Sequence, residues 1–285
     1  MNKKIVNLFC QVSFVIVIFC GAQSVLADTL VVTSAPTSVT AGVNLSVTVK
    51  AYNTAGVNTA YNGDVTLTGA NFSGAYTVTA VNGVANFTGA NIQAKGKNNI
   101  NATGTGGVTG SSSNKITTVL ADVANKLVIT NSPTTATGGS KLGEIRVMIA
   151  DQFNNQLPSS ASTYTVTAAI GTNTGGGTLS GTTALPAYGA IGRFANMSLN
   201  TAGTYTVVFS SSGLTSAETA SIEVTTGSFY QIDLSGLTSE TRGTANSPIV
   251  YATDKGGNYL LNTQLLSKKQ ILRERQQQSC VSGFF

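Results

Sequence analysis

The chain has 285 residues, with 16 Lys and Arg against 11 Asp and Glu, and contains neither His nor Trp. Without His, no Ser–His–Asp or Cys–His relay and no His-ligated zinc site can be built, and three Cys are too few for an all-thiolate zinc site. The length suffices for two or three domains of ordinary size.

The first element is a leader. Lys3 and Lys4 precede an apolar run over about residues 5–19, and Val25 and Ala27 stand at the −3 and −1 positions of a small-residue cleavage site. Residues 1–27 are therefore predicted to be a secretory signal peptide, with the mature chain starting at Asp28. The apolar run is shorter than the roughly 20 residues of a spanning helix, which argues against a retained anchor. Cys20 raises a lipoprotein alternative, but Phe19 occupies the place where such a signal needs a small residue. Loss of the leader removes Cys10 and Cys20 and leaves Cys280, so the body must hold together without a disulfide even where export permits one.

The basic excess lies at the two ends. Setting aside Lys3 and Lys4, and Lys268, Lys269, Arg273, Glu274 and Arg275 after Asn262, leaves ten basic and ten acidic residues. A neutral body lacks the concentrated basic surface that nucleic-acid binding requires.

From residue 28 to residue 262 the chain reads as strands. LSVTVKAY places Leu45, Val47, Val49 and Ala51 on one face and Ser46, Thr48 and Lys50 on the other. Ile145, Val147 and Ile149 repeat the alternation, as do Tyr164 and Val166, then Tyr205, Val207 and Phe209, then Ile222 and Val224. Period-two alternation predicts strands with one buried face, and the intervening Gly, Asn, Ser and Thr clusters predict hairpins. No segment carries a convincing helical period.

The strands recur as units. LVVTSAPTSVTAG from Leu30 and LVITNSPTTATGG from Leu127 align at one offset, and NGVANFTGANIQAKG from Asn82 lies opposite IGRFANMSLNTAG from Ile191. PIVYATDKGGN then matches EIRVMIADQFNN, placing Asp254 opposite Asp151 and Asn258 opposite Asn155. Units of about 100 residues built from short alternating strands predict antiparallel β-sandwiches. The expected organisation is a signal peptide over 1–27, sandwiches over 28–122 and 123–226, a truncated repeat over 227–262 and an atypical basic tail over 263–285. For the tail, a short covering helix over 265–277 and a terminal assembly signal at Phe285 are the alternatives to a repeat cut short. The second of these lacks the alternating strand that such a signal needs.

In AGTYTV, Tyr205 follows a turn and stands two residues before the inward Val207, the spacing of a tyrosine corner. Asn98 holds the equivalent place in the first unit, so no such corner is predicted there. The segments KLVITNSPTTATGG, VMIADQFNN, GGGTLSG, IGRFANMSLNTAGTYTVVFSSSGLTSA and SIEV resemble the bacterial immunoglobulin-like repeats of the invasin and intimin type. The D-x-x-[GN]-N turns at residues 151–155 and 254–258 share in that resemblance, whereas the first unit's AYNTAGVN lacks the Asp. The resemblance implies all-β tandem immunoglobulin-like sandwiches in a bacterial cell-surface or secreted adhesin-like protein.

Little chemistry is carried. The acids are scattered beside turns or on wet strand faces, so the carboxylate pair of a glycosidase is not expected, and neither is enzymatic activity of any kind. Calcium at Asp151 or Asp254 is a competing reading of the turns. Each turn offers one carboxylate where calcium takes six to eight oxygens, and Asp and Asn favour such turns by bonding their own backbone. GTNTGGGTLSGTT from Gly171 lacks the Lys of a phosphate loop and reads as a Gly-rich hairpin. No catalytic, cofactor-binding or metal residue and no cofactor is expected. The expected role is that of structural spacers, each spanning about 35–40 Å. The alternative is a module that binds a host-surface protein or a glycan through exposed loops, with Tyr52, Tyr61, Phe72 and Tyr76 as the aromatics to inspect. Nucleic acid is not an expected partner, and membrane contact is expected only through the signal peptide.

Overall fold

A computed structural model of the chain describes residues 29–106, 108, 110, 115–161, 163–235 and 249–264. The signal peptide over 1–27 and the tail from residue 265 onward, with its alternative helix and terminal signal, lie outside the described residues.

The first module is built from β1 (Thr29–Ser34), β2 (Ser38–Thr40), β3 (Asn44–Asn53), β4 (Gly56–Val57), β5 (Asp64–Thr68), β6 (Thr77–Thr79), β7 (Val84–Asn91), β8 (Gly96–Gly104) and β9 (Lys115–Leu120). One sheet sets β3 between β1 and β7, with β4 folded back on the end of β3. The other runs β2-β9-β8-β5-β6, and its β2–β9 pair is parallel. The second module repeats this plan with β10 (Lys126–Asn131), β11 (Thr135–Thr137), β12 (Ile145–Ala150), β13 (Thr165–Asn173), β14 (Leu179–Ser180), β15 (Ala184–Pro186), β16 (Ile191–Phe194), β17 (Ser198–Leu199), β18 (Gly203–Ser210), β19 (Ala217–Glu218) and β20 (Ile222–Thr225). Its sheets run β10-β12-β16 and β11-β20-β18-β13-β15, again with a parallel pair, β11–β20. Even the irregularities recur: the β1–β3 register shifts between Val32 and Ser34, and the β10–β12 register shifts between Ile129 and Asn131.

Alternation explains the two cores. Leu45, Val47, Val49 and Ala51 are buried together with Leu30, Phe87, Ile92 and Ile100 in a first cluster. Ile145, Val147, Ile149, Phe194, Tyr205, Val207, Phe209 and Ile222 are buried in a second. β-branched side chains are stiff and pack well on a pleated surface, and facing sheets bury one face of every strand. Phe194 and Phe209 meet across the second core with ring centroids 4.9 Å apart.

β21 (Gln231–Ser235), β22 (Ile249–Thr253) and β23 (Tyr259–Gln264) follow as a three-stranded antiparallel sheet. Its first two strands pair as β10 does with β12. Ala252, Thr253 and Asp254 are buried, while Phe229, Tyr230, Ile232 and Tyr259 are exposed.

Candidate functional site: the joints between modules

The D-x-x-[GN]-N segments lie where one unit meets the next. Asp151 directly follows β12. Its Oδ1 accepts the N–H groups of Phe153 and Asn155, each at 2.9 Å, and its own N–H donates to the Asn155 carbonyl at 3.0 Å. Asp254 does the same after β22, with Oδ1 accepting Gly256 N–H at 2.8 Å and Asn258 N–H at 2.9 Å. The fourth residue of each turn is left-handed, Asn154 at φ 70° and Gly257 at φ 83°, which is why the motif takes Asn or Gly there.

The other carboxylate oxygen points out of the turn. Asp151 Oδ2 accepts the N–H of Asp122, two residues beyond β9, at 2.9 Å. Asp254 Oδ2 accepts the N–H of Gly227, two residues beyond β20, at 2.7 Å. Each Asp thus ties its own turn to the segment that enters its module. The same oxygens orient the following carboxamide, through Asn155 Nδ2 at 2.9 Å and Asn258 Nδ2 at 3.0 Å.

That carboxamide crosses to the preceding module. Asn155 Nδ2 donates to Gln93 O at 2.6 Å, and its Oδ1 accepts Lys95 N–H at 2.8 Å. Asn258 Nδ2 donates to Asn200 O at 2.6 Å, and its Oδ1 accepts Ala202 N–H at 2.7 Å. In both joints a side-chain amide pairs with the carbonyl of one residue and the N–H of the residue two further on, as a neighbouring strand would.

The loop being read is pinned from behind. The Tyr205 hydroxyl donates to Thr201 O at 2.8 Å and accepts Gly177 N–H at 3.2 Å, so the tyrosine corner is present in the second module. In the first module Asn98 Nδ2 donates to Ala94 O at 3.2 Å, the same contact with the residue four positions upstream. The ring expected to be missing there is missing, but a carboxamide supplies its hydrogen bond. Gly175 and Gly177 of the Gly-rich hairpin lie against the Tyr205 hydroxyl, where a Cβ would collide with it. This contact accounts for part of that hairpin's composition. Gly42 N–H donates to Ile92 O and Gly139 N–H to Leu199 O, each at 3.0 Å, so a left-handed glycine (φ 77° and 72°) lies beside each loop.

The joints differ at one position. Phe153 packs against the first module's core, its ring occupying the space a Cβ on Gly42 would need. Gly256 takes the corresponding place in the second joint, and there main chain meets main chain: a Cβ on Gly139 would lie 2.6 Å from Gly256 N. The first joint also has Lys95 Nζ on Gln156 O at 2.9 Å.

Asp151 and Asp254 are fully buried in the array, at 0% and 1% exposure. Burial alone would push each carboxyl up. The N–H donors around it outweigh that, chiefly the Asn155 amide and Asp122 for Asp151, and Gly227 and Asn258 for Asp254, so both lie below the ordinary carboxylate value. Their oxygens are engaged by N–H donors, as turn chemistry requires. Among the described residues no three or more His, Cys, Asp or Glu side chains are grouped to hold a metal ion.

The inspected aromatics lie elsewhere. Tyr61 is buried, with its hydroxyl 3.0 Å from Thr105 O. Tyr52 is half-buried on β3. Phe72 and Tyr76 pack against the first core, edge to face at 5.7 Å and 69°, beside an open groove of about 230 Å³ lined by residues 75–78 and 86–90. Asp151 and Asp254 were legible as turn residues. The loops at 93–95 and 200–202 were not, since their part in the joint is played by backbone groups that any residue carries, and Asn98 was legible as the corner position but not as the donor to Ala94 O.

No family model matches the chain, and no curated protein does. Solved structures with partial likeness include the Escherichia coli adhesin FdeC, at 18% identity and a TM-score of 0.36, covering 83% of this chain and 75% of that one. Domains 4 and 5 of the S-layer protein SbsC match at 14% identity and a TM-score of 0.28, covering 48% of this chain and 69% of that one. A family 2 glycosyl hydrolase of Bacteroides cellulosilyticus matches at 12% identity and a TM-score of 0.31 over 65% of this chain. The chain spans 23% of that hydrolase and 38% of a longer SbsC fragment.

Proposed function

We propose that the chain is a non-enzymatic spacer: tandem immunoglobulin-like modules of a bacterial cell-surface or secreted, adhesin-like protein of the invasin and intimin kind, exported by residues 1–27. The observation that carries this reading is the repeated joint. The same three hydrogen bonds, from linker N–H to Asp and between the Asn amide and two backbone groups, occur at both junctions. A junction repeated bond for bond suits modules stacked in a defined series, as a spacer requires. Of the aromatics offered for ligand binding, Tyr61, Phe72 and Tyr76 are instead committed to the first core or to its edge.

Small-angle scattering of the exported chain tests the reading, together with a glycan and matrix-protein binding screen. The expected result is a particle whose first two modules extend about 70–80 Å in line, with no specific binding. Modules folded back on one another, or saturable binding abolished by substitutions at Phe72 and Tyr76, would overturn it.

A further inference from the structure

We propose that each D-x-x-[GN]-N turn is an orientation lock, which docks on the main chain of the preceding module's corner loop and fixes the angle between the two modules. Small interfaces between domains of one chain leave them free to move by default, unless something opposes the hinge. Here the opposing element is a carboxamide held at both ends. Asp151 Oδ2 and Gln93 O share the Asn155 Nδ2 donor, while Lys95 N–H fills its oxygen. Asp151 at the same time grips the linker at Asp122, so rotation about the linker and tilt of the module break the same set of bonds.

The loop on the other side does not yield, because Asn98 ties Ala94 and Tyr205 ties Thr201, the middle residues of the two docked loops. The lock therefore joins one module's corner to the next module's turn. Its partner is any corner loop with a free carbonyl and, two residues on, a free N–H. This explains how QAK at 93–95 and NTA at 200–202 take the same dock with no side chain in common.

The direction is fixed too. In the first module four residues stand between the paired Tyr52 and Val57, against five between Ala150 and Gln156 and five between Thr253 and Tyr259. Asn53 there bonds Ala55 N–H as Asp151 bonds Phe153 N–H, but the shortened turn has no counterpart of Asn155. The first module can be docked upon and carries no lock of this design itself.

Pulsed dipolar spectroscopy on the full mature chain tests this, with Cys280→Ser and spin labels on Thr88→Cys and Thr182→Cys, exposed positions in successive modules. The parent should give one narrow distance distribution. Asn155→Ala should widen it roughly twofold or more, as expected for domains that regain hinge freedom. Gln93→Ala, which leaves the backbone groups in place, should leave it narrow. Asn98→Ala should widen it without touching the joint directly. A broad parent distribution, an Asn155→Ala distribution as narrow as the parent's, or equal widening by Gln93→Ala would overturn the lock. Should Asn98→Ala unfold the first module, Asn155→Ala still decides, with separate melting of each module as the folding control. The lock does not rest on the spacer role: specific glycan binding by a chain with a narrow distribution would sink the spacer and leave the lock standing.

Discussion

Asn98 and Tyr205 occupy the same corner of successive modules and bond the same backbone atom of their loops, the carbonyl of the residue four positions upstream, through an amide in one case and a phenol in the other. The hydrogen bond, not the ring, is what the two modules share. Both side chains are buried and each makes a second bond, Asn98 Nδ2 to Gly96 O and the phenol from Gly177 N–H, while the phenol alone adds a ring to its core.

Tyr205→Phe should therefore lower the stability of the second module by about 1–2 kcal/mol, the worth of a buried hydrogen bond with a donor left unpaired. Denaturant unfolding followed by ring fluorescence or circular dichroism checks it. An unchanged midpoint would mean that the ring packs without needing its hydroxyl.

Gly42→Ala should loosen the first joint. The residue is left-handed, at φ 77°, and the added methyl falls on the Phe153 ring. Backbone strain of this kind costs about 1 kcal/mol or more, and the phenyl must also leave its seat. Gly139→Ala should cost at least as much at the second joint, because the obstacle there is the backbone of Gly256, which cannot turn aside. Hydrogen exchange at the Asp122 and Gly227 amides reports each joint separately. Protection unchanged in both variants would show that neither glycine governs docking.

Acid should open the joints. The carboxyls of Asp151 and Asp254 lie below the ordinary value, so the folded array favours their ionised forms. Their contribution is complete above the unfolded-state value of about 3.9 and disappears as pH falls through the lower folded-state values. The charged groups around Asp151 are Lys95 of the first module, which bonds Gln156 O, Lys126 of β10, which bonds Gln152 O, and Asp122 of the linker, whose carboxylate accepts Gln152 Nε2. Distance distributions between modules should be constant from pH 8 down to about 4 and widen below it. Asp151→Asn replaces one acceptor oxygen with an NH2 donor that faces two N–H donors, and should widen the distribution at neutral pH and flatten the pH response of the first joint. A transition near neutrality would assign the joint to other groups.

Removing residues 227–285 should leave the melting of the second module nearly unchanged. The third sheet is tied to the second module by hydrogen bonds at the loop rim, between Asn258 and the backbone of Asn200 and Ala202, and neither of these residues belongs to the second core. Calorimetry of the shortened chain checks this; a loss of several kcal/mol would show that the third unit is integral to the second.

The sequence by itself determined the sheets and the turns, because both are local. Leu45, Val47, Val49 and Ala51 are buried because alternate side chains of a strand point the same way, and no distant residue is needed to see it. Asp151 caps its own turn through groups two and four residues on, so a five-residue motif announces it. The corner at Tyr205 was legible for the same reason, its acceptor lying four residues upstream. Only the tertiary structure decided what the outward-facing Asp oxygen and the Asn amide hold. Their partners are the backbone of Asp122, Gln93 and Lys95, up to 62 residues away. A backbone carbonyl or N–H is the same in every residue but proline's missing N–H, so its choice as a docking site leaves no trace in the side chains, and only the path of the folded chain brings it within reach.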